Sequence, residues 1–379
     1  MSSLPVSLGS HVYQVAPEEN GRSNVENCPA LIVAEIGQNH NGDLGLAMEL
    51  IDAAKWAGVD AVKITKRDLD WELATHLRDR PYSGPHSFGA TYGEHRRALE
   101  LSAEAHRQMA RRIREHGLLY LGTACDPPSI SLLDEFEVDA FKVASRDADN
   151  LPLLKALCRR DRPVLLSTGM SSWEELDVGV RVFQEAGVPL LLMQCTSQYP
   201  TPWDEVHLRS MQTLRQRYGV PVGFSDHSPG SLLAPVAVAM GACVIEKHLT
   251  FDRTAKGSDH QCSLEPEEFR QLVEQVRQVE RALGRADKPV SPRTTPFREK
   301  LGRSLTVKQS LPKGTSIQEA MLTLKCPGDG IPWQERQRVL GRRLNKSVQA
   351  GEMLREEDLH DPEQETLTEQ RARPAKVRT

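Results

Sequence analysis

The sequence has no surplus of either charge: 48 Lys and Arg stand against 52 Asp and Glu, a net charge of −4. It therefore carries no electrostatic footprint for nucleic acid or an anionic membrane, although a local phosphate site stays compatible with it. No apolar run approaches the ~18 residues that a bilayer-spanning helix needs. The opening MSSLPVSLGSHVYQVAPEEN lacks the basic-then-apolar order of a secretory signal. Cysteine is sparse and scattered, at Cys28, Cys125, Cys158, Cys195, Cys243, Cys262 and Cys326, with no CxxC pair. An odd number inside apolar runs argues against a disulfide framework and for small buried thiols in a reducing, cytoplasmic setting. The first apolar run is followed by EIGQNHNGD rather than GxGxxG, which weighs against a doubly wound dinucleotide-binding sheet.

What is present from residue 30 onward is an alternation of short apolar and longer amphipathic runs. The apolar ones fall at 31–37, 61–65, 118–124, 140–145, 163–169, 190–197, 221–227 and 243–250. Amphipathic stretches such as LGLAMELIDAAKWAG and SWEELDVGVRVFQEAG lie between them. LEPEEFRQLVEQVRQVERALG places Phe269, Leu272, Val273 and Val276 on one helical face. Eight such pairs over ~250 residues predict an α/β fold, a (β/α)8 TIM barrel. Continuous apolar strands suit a parallel sheet covered by helices.

The expected organisation is an N-terminal extension at 1–28, the barrel at 29–285 and a Pro- and Arg-rich linker at 286–300. A small domain of short strands and turns follows at 301–361, and a polar, disordered tail at 362–379. The small domain holds two copies of one pattern, LTVKQSLPKGTSIQEAML and LNKSVQAGEMLREEDL.

Every apolar run ends in polar or ionisable groups at its C-terminal side. Glu35 closes the first, with Asn39, His40 and Asn41 after it; Lys63 and Thr65 close the second. Thr123 and Asp126 follow the third, and Lys142 and Ser145 the fourth. Ser167 and Thr168 end the fifth, Thr196, Ser197 and Tyr199 the sixth. Ser225, Asp226 and His227 end the seventh, and Glu246, Lys247 and His248 the eighth. In a barrel these ends converge on the face where active sites are built. His227 and His248, from consecutive strands and with Glu35 and Asp259 near, suit a divalent metal with open positions, the alternative being two hydrogen-bonded barrel histidines. Lys63 and Lys142 among Thr123, Ser145, Ser167 and Ser225 suit a phosphate or a phosphorylated carboxylate. Each lysine could instead pair with an inward-facing acid, or one could form a Schiff base.

AEIGQNHNGDLGLAMELIDAAKWAGVDAVK, TYGEHRRALELS, FKVAS, STGM, CTSQYP, GFSDHSPG and EKHLTFDRTAKGSDHQCSLEPEEF together resemble the sialic acid synthase family. KCPGDGIP and VLGRRLNKSVQAGEML resemble the antifreeze-like (SAF) domain attached to those enzymes. The resemblance implies condensation of phosphoenolpyruvate with N-acetylmannosamine or its 6-phosphate, giving N-acetylneuraminate or its 9-phosphate and inorganic phosphate. It implies a divalent cation on His227 and His248, manganese first, with magnesium or cobalt as alternatives. It assigns Lys63, Thr123, Lys142, Ser145, Ser167 and Ser225 to phosphoenolpyruvate, and Glu35 to the proton or water near the metal. Ser197, Tyr199 and Asp259 fall to the sugar, and Lys66 with Arg67 to a sugar phosphate. A domain-swapped homodimer is the implied assembly.

Four positions depart from the family pattern. Thr65 stands where many members carry Gln, Arg146 replaces Gly, and Asp147 stands where some have Glu. Cys326 takes the place of an Arg that reaches a partner's sugar site. The rival readings are a synthase of another nonulosonic acid, legionaminic or pseudaminic, and a catalytically silent sugar-acid binding relative.

Overall fold

The computed structural model describes residues 4–15, 28–284 and 287–360. The chain divides into two compact units after Gly284.

The first unit opens with a hairpin, β1 (Val6–Leu8) against β2 (His11–Tyr13). Eight parallel strands then close a barrel in chain order: β3 (Leu31–Gly37), β4 (Ala61–Lys66), β5 (Leu119–Ala124), β6 (Ala140–Val143), β7 (Val164–Ser167), β8 (Leu190–Gln194), β9 (Val222–Asp226) and β10 (Val244–His248). The expected (β/α)8 architecture is what forms. Capping signals fix the covering helices. Asp43 caps Leu44–Ala57, whose far end stops at Gly58 with φ 83°, a conformation open to glycine at little cost. Ser172 and Glu175 form a reciprocal capping box on Trp173–Ala186. Pro266 starts helix Pro266–Leu283, and its Phe269, Leu272, Val273 and Val276 are buried, as the spacing predicts.

Side chains alternate in and out along each strand. Outward Ile32, Val62, Phe141, Leu192 and Phe224 join the helices in one large core. Inward Leu31, Val33, Ala61, Leu121, Ala140, Leu165 and Leu191 form a second. Val6, Leu8 and Tyr13 of the hairpin belong to that inner cluster, so the N-terminal segment, read from sequence only as an extension, plugs the barrel floor with apolar side chains. Between β4 and helix Ala103–Glu115 the chain makes a long excursion through short helices at Leu69–Glu72, Thr75–Arg78 and Tyr92–Ala98.

In the second unit the stretch expected as linker contains a helix, Thr295–Leu301, with Pro296 near its start, where proline is tolerated. β11 (Ser304–Val307) pairs with β12 (Leu322–Lys325) over a core that includes Leu305, Val307, Leu311, Ile317, Leu344, Val348 and Leu354. The two pattern copies cross-pair. Gly314 donates to the Leu344 carbonyl and Gly351 to that of Val307, both at 2.8 Å. Both glycines sit at φ 84°, so each copy supplies a left-handed turn that the other satisfies. The expected disordered tail lies outside the described residues. Among the described residues, no helix is long and apolar enough to cross a membrane, and no cysteine is in a disulfide.

Candidate active site

Parity along the strands builds the site. Above the apolar layers, the last inward positions of seven strands carry Glu35, Lys63 and Thr65, Thr123, Lys142, Ser167, Ser225 and His227, and Glu246 and His248, while Cys195 lines the cavity just beyond β8. The register sets them side by side: Glu35 lies opposite Lys63 on β4 and His248 on β10, Thr123 opposite Lys142, and Ser225 opposite Glu246. They line a cavity of about 390 Å³, together with Ser145, Ser197, Tyr199, Asp259, Gln38, Arg67 and Arg146.

Two carboxylates organise the two lysines. Lys63 Nζ lies 2.6 Å from Glu35 Oε2 and 3.6 Å from Glu246 Oε1, and donates to the Thr123 hydroxyl at 2.9 Å. Lys142 donates to both Glu246 oxygens at 3.0 Å, and the Ser225 hydroxyl donates to Oε1 at 3.0 Å. Each lysine is therefore matched by an inward acid, one of the alternatives left open by the sequence. Burial raises the Glu35 carboxyl well above the carboxylate range, with Lys63 pulling the other way. Burial would raise Glu246 too, but Lys142 and Lys63 outweigh it and hold it low. Two carboxyls on one ring are thus pushed apart in acidity, the arrangement that lets one carry a proton while the other stays anionic. Burial brings the Lys142 ammonium down, against the attraction of Glu246.

The histidine rings of His227 and His248 lie 5.5 Å apart, centroid to centroid. His227 Nδ1 donates to the Thr196 carbonyl at 2.9 Å, which leaves Nε2 as its lone-pair nitrogen. Burial lowers the pKa of both rings to about 4, aided at His227 by His248 and at His248 by Lys63, so both are neutral near pH 7. His248 Nδ1 is buried with no hydrogen-bond partner. Tyr199 packs over both rings, 4.1 Å from His227 and 5.9 Å from His248. Asp259 faces them; burial would raise its pKa, yet His248 and the Ser258 hydroxyl hold it low. Among the described residues no cluster of three or more His, Cys, Asp and Glu could hold a metal. Two neutral imidazoles, one with an orphaned nitrogen, fit a borderline divalent cation that leaves positions to substrate or water.

Other candidates separate. His260 is tied to Thr250 at 2.7 Å and His40 accepts from the Gly42 amide at 3.0 Å; neither lines the cavity. Asn39 binds the Leu249 carbonyl and Ser263, stitching the first and last strand loops together. Lys66 points away from the cavity lining and pairs with Glu100 at 3.0 Å, because strand parity turns it opposite to Thr65. Arg67, grouped with Lys66 in the sequence, lines the cavity. Of the departures, Thr65 donates weakly to Glu35 at 3.4 Å, and Arg146 pairs with Glu72 at 2.9 Å. Sequence reasoning grouped Glu246, Lys247 and His248 as one charged strand end. Alternation along VIEKH was the available signal that Glu246 and His248 share the inner face while Lys247 faces out.

A family model described as the NeuB family matches residues 50–288, and a SAF domain model matches residues 302–360. The chain is 38% identical over 331 residues to the N-acetylneuraminate-9-phosphate synthase of Homo sapiens, covering 87% of this chain and 92% of that protein. It is also 38% identical over 331 residues to the N,N'-diacetyllegionaminic acid synthase of Legionella pneumophila, covering 85% and 92%. Among solved structures it resembles the N-acetylneuraminic acid (sialic acid) synthetase of Leptospira borgpetersenii in complex with citrate. There the TM-score is 0.66 at 30% identity, over 78% of this chain and 95% of that one.

Proposed function

The chain belongs to the NeuB family of phosphoenolpyruvate-dependent sugar-acid synthases, and on that premise we propose that it condenses phosphoenolpyruvate with N-acetylmannosamine or its 6-phosphate. The products are N-acetylneuraminate, or its 9-phosphate, and inorganic phosphate, with C–C bond formation and C–O cleavage. The observation that carries the proposal is the ring of two lysines matched to two carboxylates, beside two neutral imidazoles in one cavity. In this reading Lys63, Lys142, Thr123, Ser145, Ser167 and Ser225 seat phosphoenolpyruvate by charge and directed hydroxyls. Its anionic groups take over the lysines as Glu35 and Glu246 adjust their proton content. Glu35, raised by burial, handles the proton of the water that adds at C2. Ser197, Tyr199 and Asp259 orient the sugar over the histidines.

His227 and His248 would hold a divalent cation, manganese first, which when bound supplies a Lewis acid for the sugar aldehyde. The enzyme would work in the cytoplasm as a homodimer.

The test is phosphate release from phosphoenolpyruvate with manganese and each sugar, with and without chelator. Release with an acetamido sugar that stops on chelation is expected. Undiminished release in metal-free buffer would remove the cation from the proposal, and no release with either sugar would remove these substrates. A second reading, synthesis of legionaminic acid, is supported by the 38% identity to the Legionella enzyme, equal to that with the human one. Release only with other acetamido sugars would establish it.

A further inference from the structure

One loop grips His227 twice. The segment after β8, residues 196–201, takes the ring through the Thr196 carbonyl, which accepts from Nδ1 at 2.9 Å. It takes the main chain through the Thr201 amide, which donates to the His227 carbonyl at 2.9 Å. Tyr199, midway along the loop, packs on the same ring with centroids 4.1 Å apart. The Thr201 side chain joins the two grips. Its hydroxyl faces two carbonyls of its own loop, Thr196 at 3.1 Å and Gln198 at 2.9 Å. Gln198, Tyr199 and Pro200 are exposed, yet Thr201 is 2% exposed. A hydroxyl taken out of water must find acceptors, and this one finds the carbonyl that also holds the His227 ring.

Neutral imidazole carries one proton, and the partner on one nitrogen decides which of the two holds it. A carbonyl can only accept, so the Thr196 carbonyl requires Nδ1–H and leaves the Nε2 lone pair free. That choice lasts only while the carbonyl keeps its aim. Thr196 is half-buried and lies two residues past the end of β8 at Gln194, so the strand ladder does not fix its peptide. Its hydroxyl is anchored by donation to the Glu205 carbonyl at 2.7 Å, and its carbonyl by Thr201. The main chain on either side of His227 is already tied, since Asp226 accepts from the Ser228 amide and hydroxyl and pairs with Lys247. The rotation and tautomer of the ring are what the loop adds. His248 lacks such a hold, its Nδ1 being buried without a partner.

We infer that Thr201 is a positioning residue: by aiming the Thr196 carbonyl it keeps His227 in the Nδ1–H tautomer and presents Nε2 to the divalent cation. The inference rests on the cation of the proposed function, but the tautomer is set before any cation binds and can be read without one. Outer partners of a ligating histidine are worth about 10–100-fold in metal affinity. Thr201 acts through a carbonyl that its loss would loosen rather than delete, which puts it at the lower end.

The experiment compares the chelator-treated intact protein with Thr201→Val and Thr201→Ser. Valine keeps the branched shape and drops the hydroxyl; serine keeps the hydroxyl. Two-bond proton–nitrogen correlation spectra report the histidine tautomers, with the His227 signals identified by their loss in His227→Gln. Titration with manganese gives the affinity. The intact protein and Thr201→Ser are expected to show His227 as Nδ1–H and to bind manganese alike. Thr201→Val should show both tautomers at His227 and bind manganese about tenfold more weakly, with phosphoenolpyruvate binding to the cation-free protein unchanged. An unaltered His227 tautomer in Thr201→Val, an unaltered manganese affinity, or a serine variant that fares as badly as the valine one would each overturn the inference. An equal loss of phosphoenolpyruvate binding would overturn it too, since that marks a general loosening of the rim. A tautomer that depends on Thr201 in a protein that binds no manganese would sink the cation of the proposed function and confirm the hold of Thr201 on the ring.

Discussion

Glu246 and Lys247 are neighbours on β10, both buried, and their ion pairs have opposite surroundings. Lys247 faces outward, under the helices. It is fully buried, pairs with Asp226 at 3.0 Å and donates to the Ser228 carbonyl. Asp226 in turn accepts from the Ser228 amide at 2.8 Å and its hydroxyl at 2.6 Å. Glu246 faces inward, sharing Lys142, Lys63 and Ser225 at the floor of a cavity. One pair is sealed and internally satisfied, clamping the turn that carries His227. The other borders open space where a ligand can replace a partner. The same chemistry, one residue apart, is structural on one face and available for catalysis on the other, and water access decides which.

The largest effect expected from breaking this contrast is on the sealed side. Lys247→Met leaves the Asp226 carboxylate buried without its cation, held only by the Ser228 amide and hydroxyl, and breaking a buried ion pair in this way costs about 3–5 kcal/mol. The denaturant midpoint should fall accordingly, and Asp226→Asn/Lys247→Met should recover part of the loss. A single-variant loss below about 1 kcal/mol would show that water reaches the pair. Lys142→Met should behave differently. Glu246 keeps Ser225 at 3.0 Å and Lys63 at 3.6 Å, so stability should change less than in Lys247→Met. Phosphate release should drop about 10²–10³-fold, as when one preorganised donor to a developing anion is removed. A variant that unfolds as readily as Lys247→Met would place the inner pair with the structural one.

The barrel was legible because its strands are continuous apolar runs and its helices carry caps and a clear 3.6-residue spacing. Residues at the strand ends, from Glu35 to His248, converge because topology alone sends them to one face. Three things were not legible. The floor hairpin is built from three-residue strands, too short for a periodic signal. The split between Glu246 and Lys247 hid because charges at a strand's end were read as a group rather than by parity. The ion-pair network at the cavity rim, where Glu72 meets Arg67, Arg96 and Arg146, depends on where the excursion folds back. Arg67, Glu72, Arg96 and Glu100 are spread over 34 residues with no spacing rule to join them, and the reading of Lys66 beside Arg67 missed that both pair with Glu100 while Arg67 alone of the two lines the cavity.

The smallest of the effects sharpens the contrast through pH. His227 and His248 face the cavity, and burial holds both near a pKa of about 4, against ~6.5 in an unfolded chain. A base whose folded pKa is depressed contributes stability that is complete above the unfolded value. That stability is lost as pH falls from ~6.5 toward about 4, because the unfolded chain then binds the proton more readily. At pH 5 the loss is about 2 kcal/mol for each histidine. Denaturant midpoints of chelator-treated protein at pH 7 and pH 5 should show it, and His248→Gln should make the fall visibly shallower. His40, also held near 4 by burial but outside the cavity, keeps part of the slope in the variant. An unchanged slope in His248→Gln would mean that solvent in the cavity already lets this ring take up a proton in the folded state. The inner face would then be wetter than its burial suggests, and the contrast with the sealed Asp226–Lys247 pair would widen.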